Sequence, residues 1–398
     1  MSTRRLISYR YESFGGILHL TTPSALVYVD KDYMLSLGYS PSPLWDRETR
    51  LLSAPTEVHL AVTNHCTGGC SHCYMDARDL SASIRDGAVE GELGLEGMKA
   101  AVDVLASMRV FHVALGGGES FEMPWLMDLV RHVRGKGIVP NITTNGHFIS
   151  EANVFQCQNF GQINVTLNDA GPFAPGQEAS RRHFEQAHHA LSLLRRAGIE
   201  AGINCVVGRR TFDRMEDLVR YAKRMRVKEI EFLRFKPAGR AAEAYADNAL
   251  TRRQAAEFFP RAVALMKRHG LTLKLDCSFT PFICSHNPDA ERMEFFSVAG
   301  CDGGNLLVGA AADGRVAPCS FARWEDLRIQ DLPDRWARPD TFETYRRWML
   351  TASEPCSSCA YLRVCRGGCH AVADHYYGDP RLPDPECPIV VGHAPLVH

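Results

Sequence analysis

Thr63-Asn64-His65-Cys66-Thr67-Gly68-Gly69-Cys70-Ser71-His72-Cys73-Tyr74 sets three cysteines at the spacing C-x3-C-x2-C, directly after the strand-like run of residues 57–62. No fourth cysteine stands near enough to complete the group. A cube-shaped [4Fe-4S] cluster takes four thiolates. Three local thiolates hold three irons and leave the fourth open to a ligand that does chemistry.

Working outward from this loop, strand and helix patterns alternate. Strands are expected at 57–62, 111–115, 139–143, 163–167, 201–207 and 229–235. Helices are expected between them at 95–108, 125–136, 150–157, 180–196 (closed by Gly198) and 213–226. Six successive β/α units argue for an α/β fold, a partial (β/α)6 barrel with a parallel sheet and right-handed crossovers. Such folds gather their chemistry at the carboxyl ends of the strands. The cysteine loop, residues 116–119 and Thr144-Asn145-Gly146 all fall on that rim. After a helix at 252–269 and a strand ending at Cys277 the alternation stops. Residues 301–387 read as a loop-rich second unit held by metal rather than by a large core. The first fifty-five residues form a separate piece: a hairpin of 17–20 and 26–29 joined by 21–25, a short helix ending near Gly38, and a linker with Pro41, Pro43 and Pro55. The expected domains are therefore 1–55, 56–285 and 286–398.

The 398 residues are 45% hydrophobic and 23% charged, with net charge -1, as in an ordinary globular enzyme. Interspersed charge argues against nucleic acid or a membrane surface as partner. No apolar stretch approaches the ~18 residues of a membrane span, and residues 1–5 precede no signal-peptide core. A cytoplasmic protein is expected. In a reducing compartment, 14 cysteines speak for metal or redox work rather than disulfides. Cys157 and Cys205 read as small buried hydrophobes.

Zinc is the commoner fate of clustered cytosolic cysteines, but zinc knuckles pair two C-x2-C units, which the first triad does not do. The loop instead resembles that of the radical S-adenosylmethionine (SAM) enzymes. The resemblance implies that Cys66, Cys70 and Cys73 hold a [4Fe-4S] cluster whose open iron chelates SAM, and that His72 packs beside the adenine. Gly116-Gly117-Gly118-Glu119-Ser120 is similar to the family's GGE motif, which implies that Gly117, Gly118 and Glu119 contact the SAM amino group. Asn145 and Thr166 sit where relatives contact ribose or carboxylate. Arg181 and Arg182 lie where a SAM-binding arginine is often found. Pro237-Ala238-Gly239-Arg240 resembles the P-x-G-R turn of peptide-modifying members.

Downstream, Cys301 and Cys319 frame C-x12-G-x4-C with Gly314 inside, and Cys356, Cys359, Cys365 and Cys369 follow as C-x2-C-x5-C-x3-C before Cys387. Zinc bound by Cys356, Cys359, Cys365 and Cys369 would leave Cys301, Cys319 and Cys387 unexplained. All seven match the SPASM extension of radical SAM enzymes, which implies two auxiliary [4Fe-4S] clusters and three in all. By position, Cys356, Cys359, Cys365 and Cys387 would hold the outer one, and Cys301, Cys319 and Cys369 the inner. Cys284, or an open site, is expected to supply the inner cluster's fourth ligand, with Cys277 the other upstream cysteine.

The resemblance implies an enzyme that cleaves SAM to a 5′-deoxyadenosyl radical and modifies a ribosomally made precursor peptide by crosslinking, epimerisation or backbone excision. It implies an electron donor such as flavodoxin or ferredoxin. The short N-terminal piece suggests a separate leader-binding partner. Oxidation of a small metabolite or tetrapyrrole precursor is the alternative, as is a non-catalytic metal-binding protein. Sulfatase maturation is disfavoured, because Ser320 follows Cys319 where that group has Asp. Among Asp169, Glu231 and Asp276 no general base stands out.

Overall fold

Alternation along residues 57–63 buries Val58, Leu60 and Val62 and leaves Glu57 and His59 half-buried. One face of the strand therefore meets helices and the other a polar interior. The computed structural model, which describes residues 6–21, 24–85, 87–295 and 297–393, repeats this arrangement strand after strand. The barrel strands are β4 (Glu57–Thr63), β5 (His112–Gly117), β6 (Val139–Thr144), β7 (Ile163–Thr166), β8 (Gly202–Val207) and β9 (Glu229–Arg234). They lie side by side in chain order, each parallel to the next. The α/β expectation is met: this is a mixed α/β structure on a parallel sheet. Connecting helices cover Gly94–Ser107, Leu126–Gly135, Glu178–Arg196 and Arg209–Met225.

Three expectations are corrected. Residues 150–157 are not an α-helix but lead into the 3-10 turn Val154–Asn159. The Asn153 side chain accepts from the Ser150 N–H at 2.8 Å and donates to the Phe148 carbonyl at 2.8 Å, competing with helical bonding. The strand after the long helix Arg252–His269 is β10 (Thr272–Leu275) and stops before Cys277. There the Asp276 carboxylate accepts from the Ser278 N–H at 3.1 Å and starts the turn Cys277–Phe279. The N-terminal hairpin is the second half of a three-stranded antiparallel sheet, β1 (Leu6–Glu12), β2 (Gly15–Thr21) and β3 (Ser24–Asp30). Residues 1–5, and residues 22 and 23 of the expected turn, lie outside the described residues.

The sheet also extends beyond the six expected strands. β10 pairs parallel to β9 at one edge. At the other, β11 (Leu307–Ala310) pairs parallel to β4, and the short β12 (Val316–Ala317) turns back antiparallel on β11. Trp336 and Phe342 belong to the same buried core as the barrel strands, and the Trp336 indole donates to the Leu52 carbonyl at 2.7 Å. Residues 307–342 are thus fastened by sheet pairing and apolar burial. Arg10 docks the N-terminal sheet: its buried guanidinium donates to the Pro55 (2.8 Å), Ala54 (2.7 Å) and Arg109 (3.1 Å) carbonyls and pairs with Glu12 at 2.7 Å. Among the described residues no helix is long and apolar enough to cross a membrane.

Candidate active site

The polar face of the sheet encloses one large cavity of about 2380 Å³. Its wall carries a ladder of side chains across four strands. Asn204 Nδ2 donates to Thr143 Oγ1 at 3.1 Å, and Asn164 Nδ2 donates to Asn204 Oδ1 at 2.6 Å and to Glu231 Oε2 at 3.3 Å. Burial raises the pKa of Glu231, helped by the nearby Asp276, whose own charge is met by Lys236. Asp169 instead pairs with Arg214 at 3.2 Å.

The cysteine loop closes the rim at the end of β4, and Cys66, Cys70 and Cys73 all border the cavity as free thiols. Residues outside the triad fix its course. Glu92 Oε1 accepts from the Asn64 N–H at 2.6 Å, and Glu122 Oε1 accepts from the Thr67 N–H at 2.8 Å. His65 Nδ1 accepts from the Leu80 N–H at 2.9 Å, so its Nε2 carries the proton and faces Glu122 Oε2 at 2.9 Å. The far side is held by the P-x-G-R turn. Arg240 donates to the Cys70 carbonyl (3.0 Å) and the Ala77 carbonyl (2.7 Å) and to Asp76 (2.9 Å). A Cβ at Gly239 would stand 2.6 Å from the Tyr74 carbonyl, so only glycine lets this turn approach the loop. Gly68 leaves space between sulfurs: a Cβ there would lie 3.3 Å from Cys66 Sγ and 4.0 Å from Cys70 Sγ. Burial pushes the Cys66 thiol up to about 11.

Gly117, Gly118 and Glu119 meet this loop directly. Gly118 donates to the Thr63 carbonyl at 2.6 Å and Glu119 to the His65 carbonyl at 2.9 Å. Gly117 has φ +105, and a Cβ on Gly118 would be 2.0 Å from the His65 carbonyl, so the glycines are there for close approach. The buried Glu119 carboxylate accepts from the Thr144 hydroxyl (2.8 Å), the Asn145 N–H (2.8 Å) and the Phe121 N–H (3.1 Å), with burial raising its pKa to about 7. Asn145 and Thr166 line the same cavity, and the Thr166 carbonyl faces His183 Nε2 at 3.0 Å. His72 is exposed on the loop, its ring 6.4 Å from that of Phe235. The three rim motifs are thus brought together. Arg182 also lines the cavity; Arg181 does not border it.

Nine of the eleven remaining cysteines fall into two groups. Cys301, Cys319 and Cys369 border the same cavity as the triad, and so does Cys277. Cys356, Cys359, Cys365 and Cys387 border a separate small cavity, and Cys284 is the fifth cysteine there. Cys284 therefore does not join Cys301, Cys319 and Cys369, correcting that expectation. The helical turn Thr280–Cys284 carries it away from Cys277 and buries it against Tyr361, Val364 and Cys365. The four-cysteine zinc grouping does not form either, because Cys369 faces the other space. Among the described residues, no three His, Cys, Asp or Glu side chains are set to hold a single metal ion. Cys157 and Cys205 are buried in the apolar core, as expected.

Sequence reading missed the ties that set this partition. Arg234 at the end of β9 is buried, with Nη1 2.6 Å and Nη2 3.0 Å from the two Asp384 oxygens and Nη2 2.8 Å from Glu386. Asp384 in turn accepts the Cys369 N–H at 2.9 Å. No motif marks this pair, whose members are far apart in the chain.

Residues 60–222 match the Radical SAM superfamily. The chain is similar to the AdoMet-dependent heme synthase of Nitratidesulfovibrio vulgaris, 24% identical over 82% of this chain and 90% of that protein. It is similar also to the mycofactocin maturase MftC of Mycobacterium tuberculosis, 28% identical over 89% of this chain and 88% of the other. Among solved structures, Streptococcus suis SuiB bound to its precursor peptide SuiA superposes with a TM-score of 0.71 at 16% identity, over 96% of this chain and 99% of that one.

Proposed function

We propose that this chain, an enzyme built on a radical SAM domain and related to peptide-modifying maturases, acts on a ribosomally made precursor peptide to crosslink it, epimerise it or excise part of its backbone. SAM and a [4Fe-4S] cluster go with the domain; bound together and given one electron by an external donor, they would supply methionine and a 5′-deoxyadenosyl radical able to take a hydrogen from an unactivated carbon. Cys66, Cys70 and Cys73 would hold that cluster, and two auxiliary clusters would be carried by the cysteine groups of residues 286–398. The donor sets fit: every cysteine is a free thiol, and Gly68 leaves room between the triad sulfurs.

The observation that carries the reading is the shared cavity. Its roughly 2380 Å³ has to take SAM and clusters as well as substrate, and exceeds the ~300–1,000 Å³ usual for small-molecule pockets. It runs from the triad to Cys301, Cys319 and Cys369, giving a peptide segment access to both. Glu119, Asn145 and Thr166 offer acceptors and a donor suited to the amino-acid end and ribose of SAM. The Thr143-Asn204-Asn164-Glu231 ladder presents side-chain amides that can bond a peptide backbone. Auxiliary clusters beside the cavity suit a net two-electron oxidation of the substrate, with a ferredoxin or flavodoxin as external donor. A separate protein that binds the peptide leader belongs to the same reading.

The test is anaerobic reconstitution with SAM, a strong reductant and any short peptide found to be encoded beside this gene, followed by the mass of that peptide. Loss of two hydrogens reports a crosslink, unchanged mass with an inverted centre reports epimerisation, and a larger loss reports excision. Cys70→Ala should abolish 5′-deoxyadenosine formation. The heme synthase similarity favours a second reading, oxidation of a tetrapyrrole precursor. Turnover of such a compound with no change in any peptide would establish that one instead.

A further inference from the structure

We infer that Cys277 is the fourth thiolate of the inner auxiliary site, so that protein ligands close this site, and that Cys284 is a fifth cysteine of the outer one. The inference rests on the proposal that residues 286–398 carry two auxiliary clusters. The seven-cysteine pattern leaves the inner set with only Cys301, Cys319 and Cys369. Two upstream cysteines, seven residues apart, are candidates to complete it, and their surroundings separate them.

Cys277 opens the turn that follows β10, and hydrogen bonds tie this turn to the segment bearing Cys369. Arg234 Nη1 donates both to the Ser278 carbonyl at 3.1 Å and to Asp384 Oδ2 at 2.6 Å. The same Asp384 oxygen accepts the Cys369 N–H at 2.9 Å. One guanidinium nitrogen and one carboxylate oxygen therefore join the residue after Cys277 to Cys369. On the other side, Lys236 pairs with Asp276, the residue before Cys277, and lies over the Phe321 ring at 4.5 Å, two residues past Cys319. The turn at 276–278 is thus pinned beside both cysteine segments, and all four thiols border one cavity. Cys284 borders the other, where it packs on Cys365.

Two other side chains compete for the role. Asp302 is engaged by Arg366. His370 is buried, and its Nδ1 has no hydrogen-bond partner; its ring lies 5.3 Å from Tyr345 and 5.2 Å from Trp348. A site closed by Cys277 has no iron left for substrate, which makes the inner cluster an electron relay only.

The test uses the full chain with Cys66, Cys70 and Cys73 replaced by Ala, so that only auxiliary clusters remain. This background should hold about eight irons per chain. Adding Cys277→Ala should remove about half of them, or abolish one of the two reduced-cluster electron paramagnetic resonance signals. Cys277→Ser, which keeps an oxygen donor, should retain iron and shift that signal, separating ligation from misfolding. Cys284→Ala and His370→Gln should keep both signals. Unchanged iron and spectra in both Cys277 variants would overturn the assignment, as would loss of the inner signal in Cys284→Ala or His370→Gln. An iron-free background would overturn the two-auxiliary-cluster proposal itself, and this assignment with it.

Discussion

The cysteine loop after β4 takes its shape from hydrogen bonds to neutral backbone, whereas the C-terminal cysteines take theirs from buried charge and long-range packing. Around Cys66, Cys70 and Cys73, carboxylates and a guanidinium hold N–H and carbonyl groups of a short loop with much of its surface exposed. Around Cys369, one fully buried ion pair connects β9 to a segment 150 residues away. The first arrangement yields in small steps, because each bond contributes about 1 kcal/mol and water can replace it. The second yields all at once, because an uncompensated buried charge cannot be hydrated in place. The proposed radical source and the proposed electron relay should therefore fail differently.

The largest effect is expected from the ion pair. Asp384→Ala strands Arg234 with Glu386 as its remaining acidic partner, and removes the acceptor of the Cys369 N–H. Stability should fall by about 3–5 kcal/mol, read by chemical denaturation. Iron should be lost from the inner group before the triad, read by iron content and cluster spectra. Equal loss from both would mean that the two regions are not independently supported.

Arg240 tests the other side. Arg240→Ala removes the donor to the Cys70 and Ala77 carbonyls and the partner of Asp76. Cys70 is exposed and Asp76 half-buried, with only Ala77 buried, so the cost should be about 1–3 kcal/mol, confined to the loop. The cluster proposed for the triad should be lost to oxygen several-fold faster while melting temperature changes little. Arg240→Lys should recover only part of the protection, since an ammonium cannot reproduce the fork that spans both carbonyls. A melting shift as large as that of Asp384→Ala would erase the contrast.

The same contrast explains what could be read from the chain beforehand. The triad, the glycine turn at 116–119 and Asn145 are local features at strand ends, and the strand alternation that places them is itself local. Their convergence on one rim was legible for that reason. How nine downstream cysteines divide between two spaces was not. The division turns on where the chain goes between Cys277 and Cys284, and the helical turn there is set by Arg234, Asp276 and packing on the segment around residue 365. β11 escaped notice because four residues with an internal glycine carry no strand signal. Gly309 is needed there, since a Cβ would lie 2.8 Å from the Ser320 nitrogen. β1 carries no strand signal because its burial depends on long-range partners: Arg10 and Glu12 are buried charged residues satisfied by each other, by Ser53 and by the Ala54, Pro55 and Arg109 carbonyls.

The N-terminal sheet provides the smallest and most selective test, because its junction is held by a third device. His19 on β2 is buried with its Nε2 3.0 Å from that of His112 on β5. Burial and the neighbouring His112 hold the His19 pKa down to about 4, and burial lowers that of His112 as well, against the pull of Glu57. An unfolded histidine binds its proton near pH 6.5. The stability these neutral rings contribute is therefore complete above about pH 6.5 and is lost as pH falls toward 4, because the released sheet takes up protons that the docked one refuses. The loss should reach roughly 1 kcal/mol by pH 5.5. Hydrogen exchange at pH 7.5 and 5.5, corrected for intrinsic rates, should show residues 8–20 opening more at the lower pH while the loop of residues 64–78 keeps its protection. His19→Gln should flatten that dependence. Parallel opening of the loop would tie the N-terminal sheet to the proposed radical source and join two regions that the hydrogen-bonding pattern keeps apart.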